Sequence, residues 1–186
     1  GGSDNVLHAV EAEGGRPLWS ARLEGATAAA TDVPAPSVGR AHTYAVSRGG
    51  VLHALEKRTG RVAWTAAAPR DGGRFSTAAP RILGSRVIVA GLGPNGDIYA
   101  LEAVSGSLAW RARTGFAGNG APPGVANGRI VVASAQGVVS WIDPATGRLE
   151  QQYGMPPGHC LSSPTGEGAL TFAASLSGRL LALAAP

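Results

Sequence analysis

One stretch organises this sequence: Gly50–Trp64, GVLHALEKRTGRVAW. It contains an alternating apolar run, a turn at Thr59 and Gly60, and a second short run that ends in tryptophan. A glycine between two such runs supplies the positive φ that a tight hairpin needs. The stretch therefore predicts a β-hairpin.

The parts of this hairpin recur along the chain. Its first strand, Val51–Glu56, is nearly repeated at Val6–Glu11, and looser copies stand at Ile98–Glu102, Val138–Asp143 and Leu180–Leu183. The first four copies are each followed by a turn glycine, and these glycines lie 41 to 46 residues apart: Gly15, Gly60, Gly106 and Gly147. A tryptophan stands four residues after each of the first three: Trp19, Trp64 and Trp110.

A second pattern lies between successive hairpins, in which a proline precedes a short strand and a glycine turn leads into a β-branched run. It spans Pro36–Val46, Pro80–Val89, Pro123–Val132 and, more weakly, Pro164–Phe172. Four short strands in about 40 to 45 residues are typical of a propeller blade, and no segment shows helical spacing. We predict one all-β domain over residues 1–186, a β-propeller array of about four four-stranded blades. Its repeats lie near residues 5–47, 50–91, 96–134 and 137–174, with a final strand at 178–184.

Composition agrees with a folded domain and excludes several classes of protein. The chain has 186 residues, of which 44% are hydrophobic and 15% charged, so it is not predicted to be disordered. The net charge of +4 comes from scattered arginines rather than a basic stripe, which argues against a nucleic-acid partner. No apolar run reaches the length of a transmembrane helix, and no signal peptide is visible, so we expect any export signal to have been removed.

The pattern Gly-x-hydrophobic-x-Ala-Leu-(Asp/Glu)-x-x-(Thr/Ser)-Gly-x-x-x-Trp, clearest at Gly50–Trp64 and Gly96–Trp110, resembles the tryptophan-docking repeat of the PQQ-like (quinoprotein-type) β-propellers. The resemblance covers essentially the whole chain. It implies that each tryptophan lies flat on the adjacent blade, against the glycine-bearing turn there. The structural docking residues that it implies are Gly15, Trp19, Gly60, Trp64, Gly106, Trp110 and Gly147.

Two departures from the family pattern shape the expected architecture. In the fourth unit Gln151 takes the tryptophan position, and Trp141 lies in the preceding strand, so we expect an atypical blade interface there. Family members usually close seven or eight blades, whereas this chain holds about four units. A fragment of a longer propeller, a half-propeller that pairs with another half, and a small closed ring all remain open, and we favour an incomplete array.

The chemistry-bearing residues do not form a recognisable active site. Enzymatic members of the family bind pyrroloquinoline quinone and calcium, and many carry adjacent cysteines; this sequence has the single Cys160. His159 and Cys160 lack the further ligands that a zinc site needs. Carboxylates recur near predicted strand ends, where we expect them to stabilise turns: Glu56, Asp97, Glu102 and Asp143. We therefore predict no catalytic, cofactor-binding or metal-binding residue and no cofactor.

Binding residues of propellers commonly sit on exposed loops. The longest predicted connections carry Phe75, Phe116, Tyr153 and Met155, which form either an exposed apolar patch for partners or plugs at the ends of blades. We expect a non-catalytic protein-interaction scaffold of the bacterial cell envelope, as in the family members of outer-membrane barrel assembly. The expected site is the periplasm or cell surface, and the expected partners are protein chains, such as a second propeller half or an envelope complex.

The same resemblance leaves two alternative functions: the ligand-binding ectodomain of a membrane receptor or kinase, and a fragment of a PQQ-dependent dehydrogenase. The first residues, Gly1 to Asp4, suit either the segment after a lipidated cysteine or a linker. A lipid anchor outside the chain is the only membrane contact that we expect.

Overall fold

The computed structural model describes residues 4–25, 35–117, 121–155, 160 and 162–184. These residues form short antiparallel strands and one 3₁₀ turn, Arg70–Gly72. In chain order the strands are β1 (Val6–Val10), β2 (Pro17–Arg22), β3 (Ser37–Val38), β4 (His42–Val46), β5 (Val51–Glu56), β6 (Val62–Ala67), β7 (Arg81–Leu83), β8 (Arg86–Ala90), β9 (Asp97–Glu102), β10 (Leu108–Arg113), β11 (Gly124–Ala126), β12 (Arg129–Ala133), β13 (Val138–Ile142), β14 (Leu149–Gly154), β15 (Thr165–Glu167), β16 (Leu170–Ala174) and β17 (Leu180–Ala184).

The strands form five sheets, each a meander of consecutive strands. We number them in chain order: sheet 1 (β1–β2), sheet 2 (β3–β6), sheet 3 (β7–β10), sheet 4 (β11–β14) and sheet 5 (β15–β17). Three sheets have four strands, and the first and last have two and three in the described part of the chain. The predicted all-β propeller array is confirmed. The two strands of sheet 1 correspond to the third and fourth strands of a four-stranded sheet, because β1 and Trp19 of β2 repeat β5 and Trp64 of β6. Each sequence repeat is out of phase with the sheets, because it starts at the third strand of one sheet and continues into the next.

Sheet-on-sheet packing makes the core. The middle strands are buried on both faces, so they read as continuous apolar runs. In β4, for example, Tyr44 and Val46 pack toward sheet 3, whereas Ala45 packs with Leu7 and Leu55 toward sheet 1. Small residues on alternate positions let neighbouring sheets approach closely.

The first strand of each sheet is its inner strand, and the inner strands of sheets 4 and 5 approach each other closely. A Cβ on Gly124 of β11 would collide with the carbonyl of Pro164, and one on Gly166 of β15 would collide with Ala126. Only glycine leaves room for two backbones at this separation. The prolines before the inner strands suit this position, because a proline at a strand start withdraws no donor from the ladder.

A register shift recurs where the third strand of a sheet pairs with the fourth. It lies between Ala54 and Leu55 in β5, and between Trp141 and Ile142 in β13, with counterparts in sheets 1 and 3. A bulge of this kind re-aims the side chains beyond it. In sheets 1, 2 and 3 the bulge accompanies the tryptophan on the fourth strand.

Candidate functional site

Three tryptophans on fourth strands join consecutive sheets. Trp19 lies on the turn glycine Gly60, and its Nε1 donates to the Lys57 carbonyl at 3.0 Å. The same contacts recur one sheet on, where Trp64 covers Gly106 and donates to the Ala103 carbonyl at 3.2 Å, and again where Trp110 covers Gly147 and donates to Pro144 at 3.1 Å. An indole that buries its ring and satisfies its N–H on the next sheet holds the two sheets in one relative orientation.

The two ends of this series of tryptophan–glycine contacts differ from its middle. Gly15 has the same positive φ, +67°, but a Cβ there would meet nothing within 4 Å. In sheet 4, where Gln151 takes the tryptophan position, the fully buried Trp141 of β13 fills the interface with sheet 5 and donates to the Thr171 hydroxyl at 3.1 Å. This contact comes from the third strand of sheet 4 rather than from its fourth strand. The interface between sheets 4 and 5 is therefore built differently from the three interfaces before it.

Two of the four residues considered for a partner-binding patch are buried, which for these two favours the alternative of plugs at the ends of blades. Phe75 is 1% exposed and packs edge-on against Tyr99, with 5.2 Å between ring centroids. Met155 is 8% exposed and packs in the cluster that contains Trp141. Both side chains fill the space between neighbouring sheets. Phe116 is half-buried and Tyr153 is 44% exposed.

A buried ion-pair network, which the sequence reading missed, lies where β9 begins and β10 ends. Asp97 has no exposed surface, and its two carboxylate oxygens accept from Nε and Nη2 of Arg111 at 2.9 and 2.8 Å. Nη1 of Arg111 donates to Asp71 in the 3₁₀ turn at 2.7 Å, and Arg113 also contacts both carboxylates. The network therefore ties the connection between sheets 2 and 3 to sheet 3. Asp97 is not a turn-stabilising residue, since it opens a strand beneath that connection.

Charge and burial set the pKa values in this network. The hydrogen bond from Arg111 lowers the pKa of Asp71, and the hydrogen bond to Asp97 raises the pKa of Arg111. Burial, with the nearby charge of Asp97, raises the pKa of Tyr99 to about 12. The guanidinium of Arg111 also lies 5.6 Å from the Tyr99 ring centroid. The four charged groups, Asp71, Asp97, Arg111 and Arg113, pair with one another, so the ion-pair network is structural. The buried Tyr99 hydroxyl has no hydrogen-bond partner among the described residues.

The turn carboxylates behave as the sequence suggests at two other positions. Glu56 accepts from the Thr59 hydroxyl at 2.7 Å and pairs with Arg61, which lowers the pKa of Glu56. Asp143 accepts from the hydroxyl and backbone N–H of Thr146, and those bonds lower the pKa of Asp143. Asp143 thus satisfies backbone donors of the turn that precedes a fourth strand, whereas Glu56 holds its turn through the side chains of Thr59 and Arg61.

In the described part of the chain, the remaining candidate groups do not assemble a metal centre. No group of three or more His, Cys, Asp or Glu side chains converges among the residues that the structure describes. Cys160 is a buried free thiol whose pKa is raised by burial, and His159 lies outside the described residues, as do Gly1 to Ser3. Within the described ranges, no helix has the length and apolar character to cross a membrane.

A depression of about 380 Å³ lies at the first strands of sheets 2 and 3 and at the prolines that precede the first strand of sheet 4. Prolines and aliphatic side chains make most of its wall, with the hydroxyls of Ser37 and Ser163, and Arg81 is the charged residue in the lining. Calcium requires several oxygen ligands, carboxylates above all. This donor set does not fit a calcium-bound quinone.

His53 is a buried neutral imidazole, and we expect it to make stability depend on pH. Its Nε2 accepts from the Glu24 backbone N–H at 3.1 Å, and its Nδ1–H donates to the Val51 carbonyl at 3.0 Å. Burial lowers the pKa of His53, against smaller upward effects of the Val51 hydrogen bond and the Glu24 charge. Because the unfolded chain takes up the proton first, this contribution is fully present above about pH 6.5 and is lost as the pH falls from there through the lowered pKa.

Urea unfolding of the wild type and of His53→Gln at pH 7.5 and pH 5.0 measures this effect. The advantage of the wild type over the variant should shrink at pH 5.0. The same comparison with His8→Gln is the control for a histidine on an exposed position. An advantage of His53 that is constant or larger at pH 5.0 contradicts the assignment.

Comparison with known proteins identifies the family of this chain. A family model described as "Outer membrane protein assembly factor BamB" matches residues 1–114 and 94–185. Among curated proteins the chain is 27% identical over 174 residues to outer membrane protein assembly factor BamB of Yersinia pestis, covering 88% of this chain and 41% of that protein. It is 30% identical over 123 residues to BamB of Moranella endobia, covering 62% of this chain and 31% of that protein.

Solved structures show the same fold. BamB from Moraxella catarrhalis superposes with a TM-score of 0.76 at 22% identity, over 97% of this chain and 52% of that chain. Quinohemoprotein alcohol dehydrogenase from Comamonas testosteroni superposes with a TM-score of 0.77 at 16% identity, over 98% of this chain and 39% of that chain. The chain thus spans about half or less of the length of these proteins.

Proposed function

This chain belongs to the family described as outer membrane protein assembly factor BamB, and from that premise we propose that it is a non-catalytic protein-interaction scaffold of the bacterial cell envelope. Its place in this proposal is the periplasm or the cell surface, as a lipoprotein whose anchor lies outside these residues. Its partners are other protein chains, either a second propeller half or the members of an envelope complex.

The observation that carries the proposal is that Asp97, Arg111 and His53 form their hydrogen bonds with other groups of the propeller. The buried Asp97 is paired with Arg111, and both ring nitrogens of His53 are engaged by backbone groups. The three docked tryptophans satisfy their N–H groups on neighbouring sheets. A stack of sheets held this firmly presents its turns in constant positions, which is what a scaffold requires.

The proposal is tested on the full-length gene in its own bacterium. Deletion should lower the steady-state amount of outer-membrane β-barrel proteins, measured by quantitative mass spectrometry of the outer membrane. A plasmid copy should restore it, and a tagged copy should co-purify with envelope proteins. Unchanged barrel proteins after deletion, with no envelope protein co-purifying, would contradict the proposal.

The non-catalytic part of the proposal has a separate test. Adding pyrroloquinoline quinone and calcium to the purified full-length protein should leave its melting temperature unchanged, and dye reduction with alcohols should stay at the background level. The donor set at the inner strands is the physical reason, since it lacks the carboxylates that calcium prefers. A saturable rise in melting temperature together with substrate-dependent dye reduction would show an enzyme instead.

A further inference from the structure

Sheet 1 is attached to sheet 2 at two places, which lie at opposite ends of β5. Beyond the end of β5, Trp19 of sheet 1 covers the turn glycine Gly60. Before its start, residues 23–25, which follow β2, lie against the turn between β4 and β5, where a Cβ on Gly49 would overlap the carbonyl oxygen of Gly25. We call residues 23–25 the docking segment.

His53 holds the docking segment with a hydrogen bond that only a neutral imidazole can make. His53 has no exposed surface, and its Nε2 accepts from the backbone N–H of Glu24 at 3.1 Å, while its Nδ1–H donates to the Val51 carbonyl at 3.0 Å. An imidazolium carries a proton on both ring nitrogens, so its Nε2–H would point at the Glu24 N–H. Docking of the segment and uptake of a proton by His53 therefore exclude each other.

The other contacts of the docking segment do not titrate. The Asn5 side chain donates to the Leu23 carbonyl and accepts from the Arg48 backbone N–H at 3.1 Å, and the Asn5 carbonyl accepts from the Leu23 N–H at 2.9 Å. The Leu23 side chain is 1% exposed and packs with Leu7 and Leu55. Because these are backbone, amide and apolar contacts, pH acts on the docking segment through His53.

The charges around His53 do not override its burial. The docking segment brings the Glu24 carboxylate and the turn before β5 contains Arg48, whereas β4 and β6 place the uncharged Ala45 and Thr65 opposite His53. Burial lowers the pKa of His53, and the Val51 hydrogen bond and the Glu24 charge oppose this only in part. Release of the segment gives the imidazole access to water and returns its pKa toward about 6.5. Docking is therefore favoured above that pH and weakened as the pH falls below it.

The next two interfaces lack a titrating group at this position. In the third strands of sheets 3 and 4 the position of His53 is taken by Tyr99 and Ser140, each opposite the residue that follows the tryptophan position on the fourth strand. Burial raises the pKa of Tyr99 to about 12, and a serine hydroxyl does not titrate in this range. Neither residue takes up a proton between pH 5 and pH 8, so acid acts selectively on the attachment of sheet 1.

We propose that His53 and the docking segment form a pH-sensitive latch that releases sheet 1 from sheet 2 in mildly acidic solution, while sheets 3 and 4 stay packed. The released sheet 1 stays tethered by the contact between Trp19 and Gly60, and the side chains of Leu7 and Leu23 become accessible to solvent. This inference goes beyond the proposed scaffold function, because it concerns the state of the propeller and not the identity of its partner.

Hydrogen exchange of the full-length protein at pH 7.5 and pH 5.0, followed by mass spectrometry, measures the release. Rates are divided by the intrinsic exchange rate at each pH, which gives protection factors. We expect the protection of peptides from residues 4–25 to fall at least threefold at pH 5.0. The upper limit is about 30-fold, which applies if His53 with a pKa near 6.5 after release stays neutral while the segment is docked. Peptides from β9 and β12 should keep their protection.

Two variants separate the latch from its surroundings. His53→Gln retains an acceptor for the Glu24 N–H but cannot take up a proton, so its protection should not fall at pH 5.0. Asn5→Gly is the matched control, because it removes side-chain bonds to the docking segment and suits the positive φ of +64° at that position, as Gly50 does before β5. It should lower protection at both pH values and keep the ratio of the wild type.

A nuclear magnetic resonance titration of the wild type gives a readout that needs no variant. The imidazole signals of His53 and the backbone amide signal of Glu24 should change with the same midpoint, because one event moves both groups. Separate midpoints would contradict the latch, as would an amide signal that does not respond.

The proposal is supported by a loss of protection at pH 5.0 that is confined to sheet 1 in the wild type and in Asn5→Gly and is absent in His53→Gln. Three results overturn it. Protection of residues 4–25 is unchanged at pH 5.0, or His53→Gln loses protection as the wild type does, or β9 and β12 lose protection to the same extent as sheet 1. In the last case acid unfolds the whole propeller and does not open one interface.

Discussion

Replacing Gly106 by alanine is expected to destabilise the protein by about 3 kcal/mol. Gly106 has a φ of +74°, which costs an L-residue about 1 kcal/mol, and the new Cβ would lie 2.5 Å from Cε3 of Trp64. The indole must then move off the turn, with loss of its packing and of its hydrogen bond to the Ala103 carbonyl. Urea unfolding followed by tryptophan fluorescence measures the free energy.

Gly128→Ala is the matched control for this substitution. Gly128 has nearly the same φ, +71°, but a Cβ there would meet nothing within 4 Å. Its replacement should therefore cost only the backbone strain, about 1 kcal/mol. Equal losses in the two variants would mean that the contact between Trp64 and Gly106 contributes nothing to stability.

Replacing Asp97 by alanine is expected to cost about 3 to 5 kcal/mol. Asp97 has no exposed surface, and the side chain of its main partner Arg111 is only 16% exposed. Removing the carboxylate leaves a guanidinium largely out of water with one of its two anions missing, which is more costly than losing an exposed pair. Thermal and urea unfolding at pH 7 measure the change.

Two controls separate this cost from a general effect of removing charge. Glu11→Ala breaks a surface pair with Arg16, whose side chain is 71% exposed, and should cost at most about 1 kcal/mol. The double variant Asp97→Ala, Arg111→Met removes both buried charges and should recover part of the loss. If Asp97→Ala costs no more than Glu11→Ala, the buried pair of Asp97 and Arg111 contributes no more to stability than an exposed pair.

Local sequence determined the elements of the fold. Alternation of apolar residues, as in Val51–Glu56, and a turn glycine such as Gly60 specify a hairpin without reference to the rest of the chain. The period of these hairpins indicated a propeller array because four strands per period allow few other arrangements. Local carboxylates such as Asp143 were also readable, since they bond backbone groups within three residues.

Contacts between sheets were decided only by the tertiary structure. Phe75 and Met155 stand in connections, where the sequence left both exposure and burial open, and each is buried because it packs between neighbouring sheets. Asp97 and Asp71 both accept hydrogen bonds from Arg111 although they lie 26 positions apart in the sequence, and no local sequence pattern predicts this. The physical reason is that hairpins depend on interactions between near neighbours, whereas burial and charge pairing depend on which sheets pack together.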